Sequence, residues 1–189
     1  MYLGKIVKAA QTMDVLLSDI LKLSHVSLAP VSEENISVED VIEESLRLLE
    51  ADVQRTQAKI TIAQPLPTIR ANRTLLLQIF SNLLTNALKF ARPGEVPHVQ
   101  VFGRTAGAEC VIHVKDNGIG IPQELHEAIF KPFDRGRADA STSGTGVGLA
   151  VVKKAVERLG GTVRVISTEG HGSEFILVLP CTSAGDLKR

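Results

Sequence analysis

The sequence is poor in aromatic residues and has no excess of charge of either sign. Only 4% of its 189 residues are aromatic, Trp is absent, and 21 Lys and Arg balance 21 Asp and Glu. Nucleic-acid-binding surfaces ordinarily combine a basic face with aromatic rings on which bases stack. The composition therefore argues against a nucleic-acid partner, and any attraction of phosphate groups must come from a local site.

Cysteines and long apolar runs are also scarce. Cys110 and Cys181 are the only cysteines, and each lies in or beside an apolar, strand-like run. We expect two separate thiols in a reducing compartment, because two distant cysteines offer too few ligands for a metal site. No apolar run approaches the roughly 18 residues of a membrane span, and Met1 does not begin a signal peptide. We therefore expect a cytoplasmic polypeptide, whose longer parent protein could still be anchored in a membrane.

Residues 3–24, within a first unit that spans residues 1–29, predict a helix with a broad apolar face. Its apolar residues follow heptad spacing: Leu3, Ile6, Ala10, Met13, Leu17 and Ile20. No neighbouring helix in the chain covers this face, so we predict that it packs in an intermolecular helical bundle, with a homodimer as one form. The alternative is that the helix docks on its own domain. Pro30 ends the segment.

Residues 30–182 predict a single α+β domain, followed by a tail at residues 183–189. Apolar residues at helical spacing indicate three main helices, at about 38–56, 72–90 and 147–159. A shorter helix is expected at 122–129. Strand-like runs lie at 59–63, 68–71, 99–102, 110–114, 163–166 and 175–179. We expect a mixed sheet of about five strands with the helices on one face.

Two glycine clusters indicate a nucleotide site. The first runs from Asp116 to Gly120, and the second comprises Gly144, Gly146 and Gly148. The second precedes a predicted helix, whose N-terminal N–H groups could hold the phosphates. It lacks the Lys of a P-loop and does not follow a strand as a Rossmann turn does. The segment between the clusters is rich in Ser, Thr and Gly, which indicates a mobile cover.

The predicted helix at 72–90 carries an unusual polar face. Asn82, Asn86 and Lys89 are spaced by four and three residues, so they share one side of the helix. Two amides within an otherwise apolar helix are costly to bury unless they have a use. This face is therefore a second candidate part of the site.

Five segments, in this order, resemble the N, G1, F, G2 and G3 boxes of the ATP-binding domain of sensor histidine kinases. They are residues 82–90, 116–120, 130–133, 144–149 and 170–175. The resemblance covers about residues 32–180 and implies a Bergerat-type two-layer α/β sandwich. Residues 3–27 resemble the second helix of the dimerisation and phosphoacceptor domain.

The resemblance implies ATP and Mg²⁺ as cofactors and assigns roles to the box residues. It places Asp116 against the adenine amino group, Asn86 on Mg²⁺, and Asn82 and Lys89, the catalytic candidates, near the phosphates. It also implies that Phe130 and Phe133 anchor a lid at residues 134–145. The remaining nucleotide-binding candidates are Gly118, Gly120, Ile121, Phe133, Arg135, Arg137, Thr145, Gly146, Val147, Gly148, Leu149 and Ser173.

One position favours transfer to histidine over hydrolysis. Related hydrolytic ATPases and Ser kinases carry a Glu four residues before the Mg²⁺ asparagine, as a general base. Asn82 stands there and cannot take a proton, whereas a neutral imidazole already offers a lone pair. The resemblance therefore implies a histidine acceptor on a dimerisation domain and a response regulator receiver domain as the next partner.

The acceptor histidine is expected outside this chain. Ser24-His25 with Pro30 echoes the acceptor motif, but Val26 stands where the family has an acid, and His25 falls where the second bundle helix ends. We expect the first helix and its acceptor N-terminal to Met1. The alternatives are a nucleotide-binding regulatory module without kinase activity, and an anti-sigma-type Ser/Thr kinase or hydrolytic ATPase.

Overall fold

The computed structural model describes residues 13–14, 17, 21, 23–24, 26, 33–134 and 145–181. The helices are α1 (Val38–Leu48), α2 (Glu50–Thr56), α3 (Arg73–Lys89) and α4 (Gly148–Arg158). The strands are β1 (Glu34–Ser37), β2 (Lys59–Ile62), β3 (Thr68–Ala71), β4 (His98–Ala106), β5 (Glu109–Asp116), β6 (Thr162–Ser167) and β7 (Ser173–Pro180). Most of the predicted N-terminal helix and most of the predicted lid lie outside the described residues.

The main sheet has five strands in the order β2-β4-β5-β7-β6. Strand β2 runs parallel to β4, and the other neighbours are antiparallel. The predicted mixed sheet of about five strands is confirmed, and the fold is α+β. The run at 68–71 is a strand, but it pairs with β1 in a separate two-stranded sheet. That partner strand was not predicted, because Glu34–Ser37 has too little apolar alternation to stand out.

Two helix predictions need correction. The helix expected over residues 38–56 is interrupted at Leu49, whose φ of −103° and ψ of 11° leave the helical region. The short helix expected at 122–129 is instead two 3₁₀ turns, Gln123–Leu125 and Ala128–Phe130. Short segments of this kind do not carry enough periodicity to separate an α-helix from 3₁₀ turns.

Helix α3 is the centre of the core. The Asn72 side-chain oxygen accepts a hydrogen bond from Leu75 N at 3.1 Å, which caps its first turn. Its apolar face is buried against α1, α4 and the sheet: Leu75, Leu76, Ile79, Phe80, Leu83, Leu84, Ala87 and Leu88. Each fully buried Leu, Ile or Phe contributes about 1.5–3 kcal/mol of transfer free energy. The same helix therefore positions its opposite, polar face rigidly.

The N-terminal segment contacts the domain at its end. Val26 is fully buried in the main core, and Arg158 Nη1 at the end of α4 donates to the Val26 carbonyl at 2.6 Å. Met13, Leu17 and Leu21 are helical and lie 57–65% exposed at a spacing of four residues. The end of the segment thus docks on its own domain, and the intermolecular bundle stays a prediction. Among the described residues, no helix combines the length and the hydropathy of a membrane span.

The expectation of two separate thiols is wrong, because Cys110 and Cys181 form a disulfide. Cys110 pairs with Leu179 in the antiparallel β5–β7 ladder, and Cys181 directly follows β7. Cys181 N donates to Ala108 O at 2.8 Å, which continues the ladder. The two Cα atoms therefore lie 5.1 Å apart despite 71 residues of sequence separation, within the range that a disulfide needs.

We expect the Cys181→Ser variant to unfold at a lower temperature than the native chain. Opening a loop of 71 residues restores chain entropy to the unfolded state, worth about 2–4 kcal/mol. The measurement is thermal unfolding with and without reductant. Reductant should lower the midpoint of the native chain and leave the variant unchanged. A native midpoint that does not respond to reductant would contradict the cross-link.

Candidate nucleotide-binding site

Asp116 ends β5 and is held by backbone N–H groups of the following loop and of the first residue of β7. Its Oδ1 accepts hydrogen bonds from Gly118 N at 2.8 Å and from Ser173 N at 3.2 Å. Asp116 and Ser173 are also direct partners in the β5–β7 ladder. Because Oδ1 takes both backbone bonds, the second oxygen, Oδ2, is the one available to a ligand that donates a hydrogen bond.

Burial raises the pKa of Asp116 above its ordinary value of 3.8, and the backbone hydrogen bonds from Gly118 and Ser173 partly oppose the rise. A desolvated carboxylate carries an electrostatic cost that an apolar side chain at the same position would not have. Such a group is typical of a functional site. The Asp116 carboxylate is therefore suited to accept a hydrogen bond from the amino group of a ligand.

The glycines of the first cluster are required by the protein's own backbone. A Cβ added to Gly118 would strike the Phe90 carbonyl, and one added to Gly120 would strike the Thr168 carbonyl. Gly120 also has a φ of +71°, a backbone angle that residues with a side chain rarely adopt. The sequence analysis names both glycines as nucleotide-binding candidates, and that role stays a prediction. The structure shows that they let the 117–120 loop pack against two neighbouring segments.

The polar face of α3 meets the N-terminus of α4. Asn82 Nδ2 donates to Gln78 O at 2.7 Å, which fixes the amide against its own helix. A Cβ on Gly148, the first residue of α4, would lie 2.9 Å from Asn82 Oδ1 and 3.9 Å from Asn86 Nδ2. The N-cap residue Val147 makes no side-chain capping bond. The first N–H groups of α4 therefore lie beside the two asparagines, which is a suitable place for phosphate.

Lys89 lies in the last turn of α3, three residues after Asn86. Its Nζ is 4.5 Å from the centre of the Phe90 ring, a cation–π contact. The cation is therefore held near the end of the asparagine face.

The two phenylalanines of the predicted lid anchor are placed differently. Phe130 is 9% exposed and packs edge-on against Phe175, with ring centroids 6.5 Å apart. Phe133 is 52% exposed, has a φ of +66°, and donates its N–H to Gly146 O at 3.1 Å. A positive φ is uncommon for a bulky residue and marks a constrained turn. Only Phe130 is anchored in the core.

The remaining predicted site residues fall into four groups. Ile121 N donates to Ser167 Oγ at 2.8 Å, so Ile121 is bonded to the last residue of β6. Val147 is buried and Leu149 is half-buried, and both pack on the core. Arg135 and Arg137 lie outside the described residues, as does Gly144. Thr145 and Gly146 are half-buried just before α4.

A resident Mg²⁺ would have few protein ligands here. Within residues 33–134 and 145–181, and at the few described N-terminal positions, no cluster of three His, Cys, Asp or Glu side chains could hold a metal ion. The Asn86 amide oxygen is a hard donor of the kind Mg²⁺ accepts. Mg²⁺ commonly binds through one or two protein oxygens together with substrate phosphates and water. The donor set therefore fits an ion that arrives with a nucleotide.

Sequence reasoning missed three residues that hold the loops of the site. Asn117 Oδ1 accepts from His98 N at 2.7 Å and its Nδ2 donates to Val96 O at 3.0 Å. Ser167 Oγ donates to Gly172 O and lies 3.0 Å from Ser173 Oγ. Arg92 contacts the carbonyls of two loops. Asn117 lies inside a glycine box, but nothing in the sequence signals the partners of Ser167 or Arg92.

The sandwich and its site define an ATP-binding domain, and the comparisons identify its family. The family described as "Histidine kinase-, DNA gyrase B-, and HSP90-like ATPase" matches residues 71–183. The sensor histidine kinase AruS of Pseudomonas aeruginosa is 37% identical over 88% of this chain and 18% of its own length. The methanogenesis regulatory histidine kinase FilI of Methanothrix harundinacea is 33% identical over 94% of this chain and 20% of its own.

The solved structures agree with this. Full-length ShkA in complex with AMPPNP superposes with a TM-score of 0.78 at 26% identity, over 97% of this chain and 39% of that one. The chain belongs to the histidine kinase-, DNA gyrase B- and HSP90-like ATPases, and its domain is the ATP-binding catalytic domain of a histidine kinase. It spans about a fifth of the length of AruS and FilI.

We expect Asp116→Asn to lose nucleotide affinity without losing stability. The asparagine oxygen can keep the bonds from Gly118 N and Ser173 N, which turns its NH₂ group toward the ligand. Two donors would then face each other at the adenine amino group. The change is measured as the Kd for ATP, and a loss of at least tenfold is expected, since about 1.4 kcal/mol is a factor of ten. Unchanged affinity would contradict the adenine assignment.

The pH dependence of the same variant checks the burial of the charge. Because the folded-state pKa of Asp116 is raised above 3.8, the folded chain binds more protons than the unfolded chain between the two values, and stability falls across that range. The native chain should therefore lose stability relative to Asp116→Asn as the pH rises from 3.8 through that value. Thermal unfolding across this range would contradict the account if the difference between the two proteins did not change.

Proposed function

We propose that this chain transfers the γ-phosphate of Mg-ATP to a histidine on a dimerisation domain, for relay to an aspartate of a response regulator. The observation that supports this most is that α3 adjoins two suitable elements, one at its C-terminal end through the Ile119 N to Phe90 O bond and one along its asparagine face. One is the half-buried Asp116 carboxylate, held by the N–H groups of Gly118 and Ser173. The other is the asparagine face of α3 beside the N-terminus of α4. The first suits an adenine amino group and the second suits a triphosphate.

Binding of the base would rest on Asp116. Its Oδ1 is occupied by Gly118 N and Ser173 N, so Oδ2 would accept the hydrogen bond of the adenine amino group. Ser167 Oγ accepts from Ile121 N and donates to Gly172 O, which ties together the two loops beside the base. The side chains of Phe133, Ile121 and Leu149 would complete the nucleotide pocket.

The phosphate end would rest on α3 and α4. The first N–H groups of α4, from Gly148, would donate to phosphate oxygens, aided by the helix dipole. Asn86 would hold Mg²⁺, and Asn82 would hydrogen-bond near the phosphates. When bound, Mg²⁺ supplies charge neutralisation on the phosphate oxygens. Lys89 adds a positive charge, and we propose the same role for Arg135 and Arg137 on the γ-phosphate, with Thr145 and Gly146 at the phosphate loop.

The chemistry of the acceptor follows from what Asn82 cannot do. An amide does not take a proton at neutral pH, so no general base stands at this position to activate water or a hydroxyl. A neutral imidazole needs no such activation, since one ring nitrogen carries a lone pair. The nitrogen–phosphorus bond would form as the bond between the γ-phosphorus and the bridging oxygen of ADP breaks. Catalysis would therefore depend on positioning and charge neutralisation.

The partners follow from the same proposal. The acceptor would be a histidine other than His25, on a helix of a dimerisation domain. The exposed face of Met13, Leu17 and Leu21 would contribute to a homodimer. A response regulator receiver domain would take the phosphoryl group from the histidine. The reaction would take place in the cytoplasm, whether or not the parent protein is anchored in a membrane.

The function is tested by incubating the parent protein that contains this chain with Mg²⁺ and γ-labelled ATP. Label that is lost in acid and retained in base is expected, since phosphohistidine is acid-labile. Acid-stable label would instead support a Ser/Thr kinase. Nucleotide binding without any labelled product would support a regulatory module.

We expect Asn86→Ala to reduce the rate of this phosphotransfer by about a hundredfold, the scale of losing one group that stabilises developing charge. Asn86 is half-buried, so the fold should survive, as shown by an unchanged thermal midpoint. Thr85→Ala is the matched control, because Thr85 is the neighbouring exposed residue on the same helix. Equal rates in the two variants would contradict the role of Asn86.

A further inference from the structure

Arg92 follows the end of α3 and contacts three separate parts of the chain. Its Nε donates to Asn117 O at 2.7 Å, and its Nη1 donates to Gly170 O at 3.3 Å. Its Nη2 lies 2.7 Å from Glu95 Oε2. Two of these contacts are to main-chain carbonyls that are far from Arg92 in sequence, so the side chain does more than pair with a neighbouring charge.

The two carbonyls belong to the loops on either side of Asp116. Residues 117–120 form the first loop and residues 168–172 form the second. The loops are also joined directly, since Gly170 N donates to Ile119 O at 2.6 Å. The first loop is tied to the end of α3, because Ile119 N donates to Phe90 O at 2.9 Å. The end of α3, the first loop and the second loop thus form a stack of three backbone segments. Arg92 follows the end of α3, and its guanidinium bonds to both loops.

This stack determines where the Asp116 carboxylate points. One of the bonds to its Oδ1 comes from Gly118, in the first loop, and the other comes from Ser173, directly after the second loop. A change in the spacing of the two loops would therefore move both donors relative to each other. The carboxylate would lose its fixed orientation, although Arg92 does not touch it.

The ion pair with Glu95 is not what makes Arg92 important. The two side chains are 34% and 45% exposed, and exposed ion pairs contribute little to stability. The carbonyl contacts use the planar fork of the guanidinium, whose donors point in two fixed directions. A lysine ammonium on a flexible stem does not reproduce that geometry. The role of Arg92 is therefore expected to depend on arginine and not on charge alone.

We propose that Arg92 is a positioning residue for the base of the nucleotide: it fixes the 117–120 loop against the 168–172 loop and thereby orients Asp116. The proposal rests on the proposed function, in which Asp116 binds the adenine amino group. It makes Arg92 a determinant of base affinity. It gives Arg92 no part in holding the phosphates, which in the proposed function would lie on the α3–α4 side of the site.

The test compares four variants by calorimetric titration with ATP, ADP and adenosine. Arg92→Ala should raise the Kd of all three ligands by about tenfold, the worth of charge-assisted hydrogen bonds. The ratios between the three affinities should match those of the native chain, because the residues proposed to hold the phosphates are unchanged. Arg92→Lys should recover only part of the loss. Glu95→Gln should bind as the native chain does.

Arg73→Ala is the matched control. Arg73 also makes an ion pair of 2.7 Å, to Glu44, and is 43% exposed, but it lies at the other end of α3. Hydrogen exchange provides a readout without ligand: Arg92→Ala should speed exchange in residues 117–120 and 168–172, and Arg73→Ala should not. Native affinity in Arg92→Ala, full rescue by Arg92→Lys, or an equal loss in Arg73→Ala or Glu95→Gln would each overturn the proposal.

The outcomes separate this proposal from the function on which it rests. If the native chain binds none of the three ligands, the proposed function fails and the role of Arg92 fails with it. If the native chain binds them and Arg92→Ala binds them equally well, only the role of Arg92 fails. If Arg92→Ala weakens ATP but not adenosine, Arg92 acts on the phosphates and the positioning role is contradicted.

Discussion

The site depends on one constraint: a half-buried carboxylate whose orientation is fixed by backbone N–H groups of the 117–120 loop and of the first residue of β7. Asp116 would only reduce the stability of the fold if its sole role were to end a strand, because desolvation penalises its charged form and raises its pKa. The bonds from Gly118 and Ser173 recover part of that cost. The backbone beside Asp116 is close enough for these bonds because Gly118 and Gly172 carry no Cβ, and Gly120 allows the two loops to pack against each other.

The rest of the fold positions the second half of the site, which is the asparagine face of α3 and the start of α4. Helix α3 is anchored by its apolar face, so its asparagine face is presented rigidly. Helix α4 packs against α3 and begins at Gly148, where any larger residue would meet Asn82. At its other end, α4 contacts the N-terminal segment through Arg158 and Val26. One helix of 11 residues therefore connects the phosphate end of the site to the segment that resembles a dimerisation helix.

The parts of the structure that the sequence predicted are those encoded locally. The five boxes each combine a few residues with a fixed spacing, and the apolar periodicity of α1, α3 and α4 requires no distant partner. The parts that were missed depend on pairing between distant segments. The Cys110–Cys181 disulfide follows from the β5–β7 register, and the contacts of Arg92 join residues up to 78 positions apart. The packing of Gly120 against Thr168 O is likewise a contact between distant segments, which the sequence does not signal.

The most direct test of the account is a comparison of ATP and GTP binding to the native chain. Adenine offers an amino group where guanine has a carbonyl oxygen, so a carboxylate at this position attracts the first and repels the second. The account predicts saturable binding of ATP and at least a tenfold weaker affinity for GTP, the scale of one charge-assisted hydrogen bond. Equal affinity for the two nucleotides would show that Asp116 does not read the base, and would contradict the account.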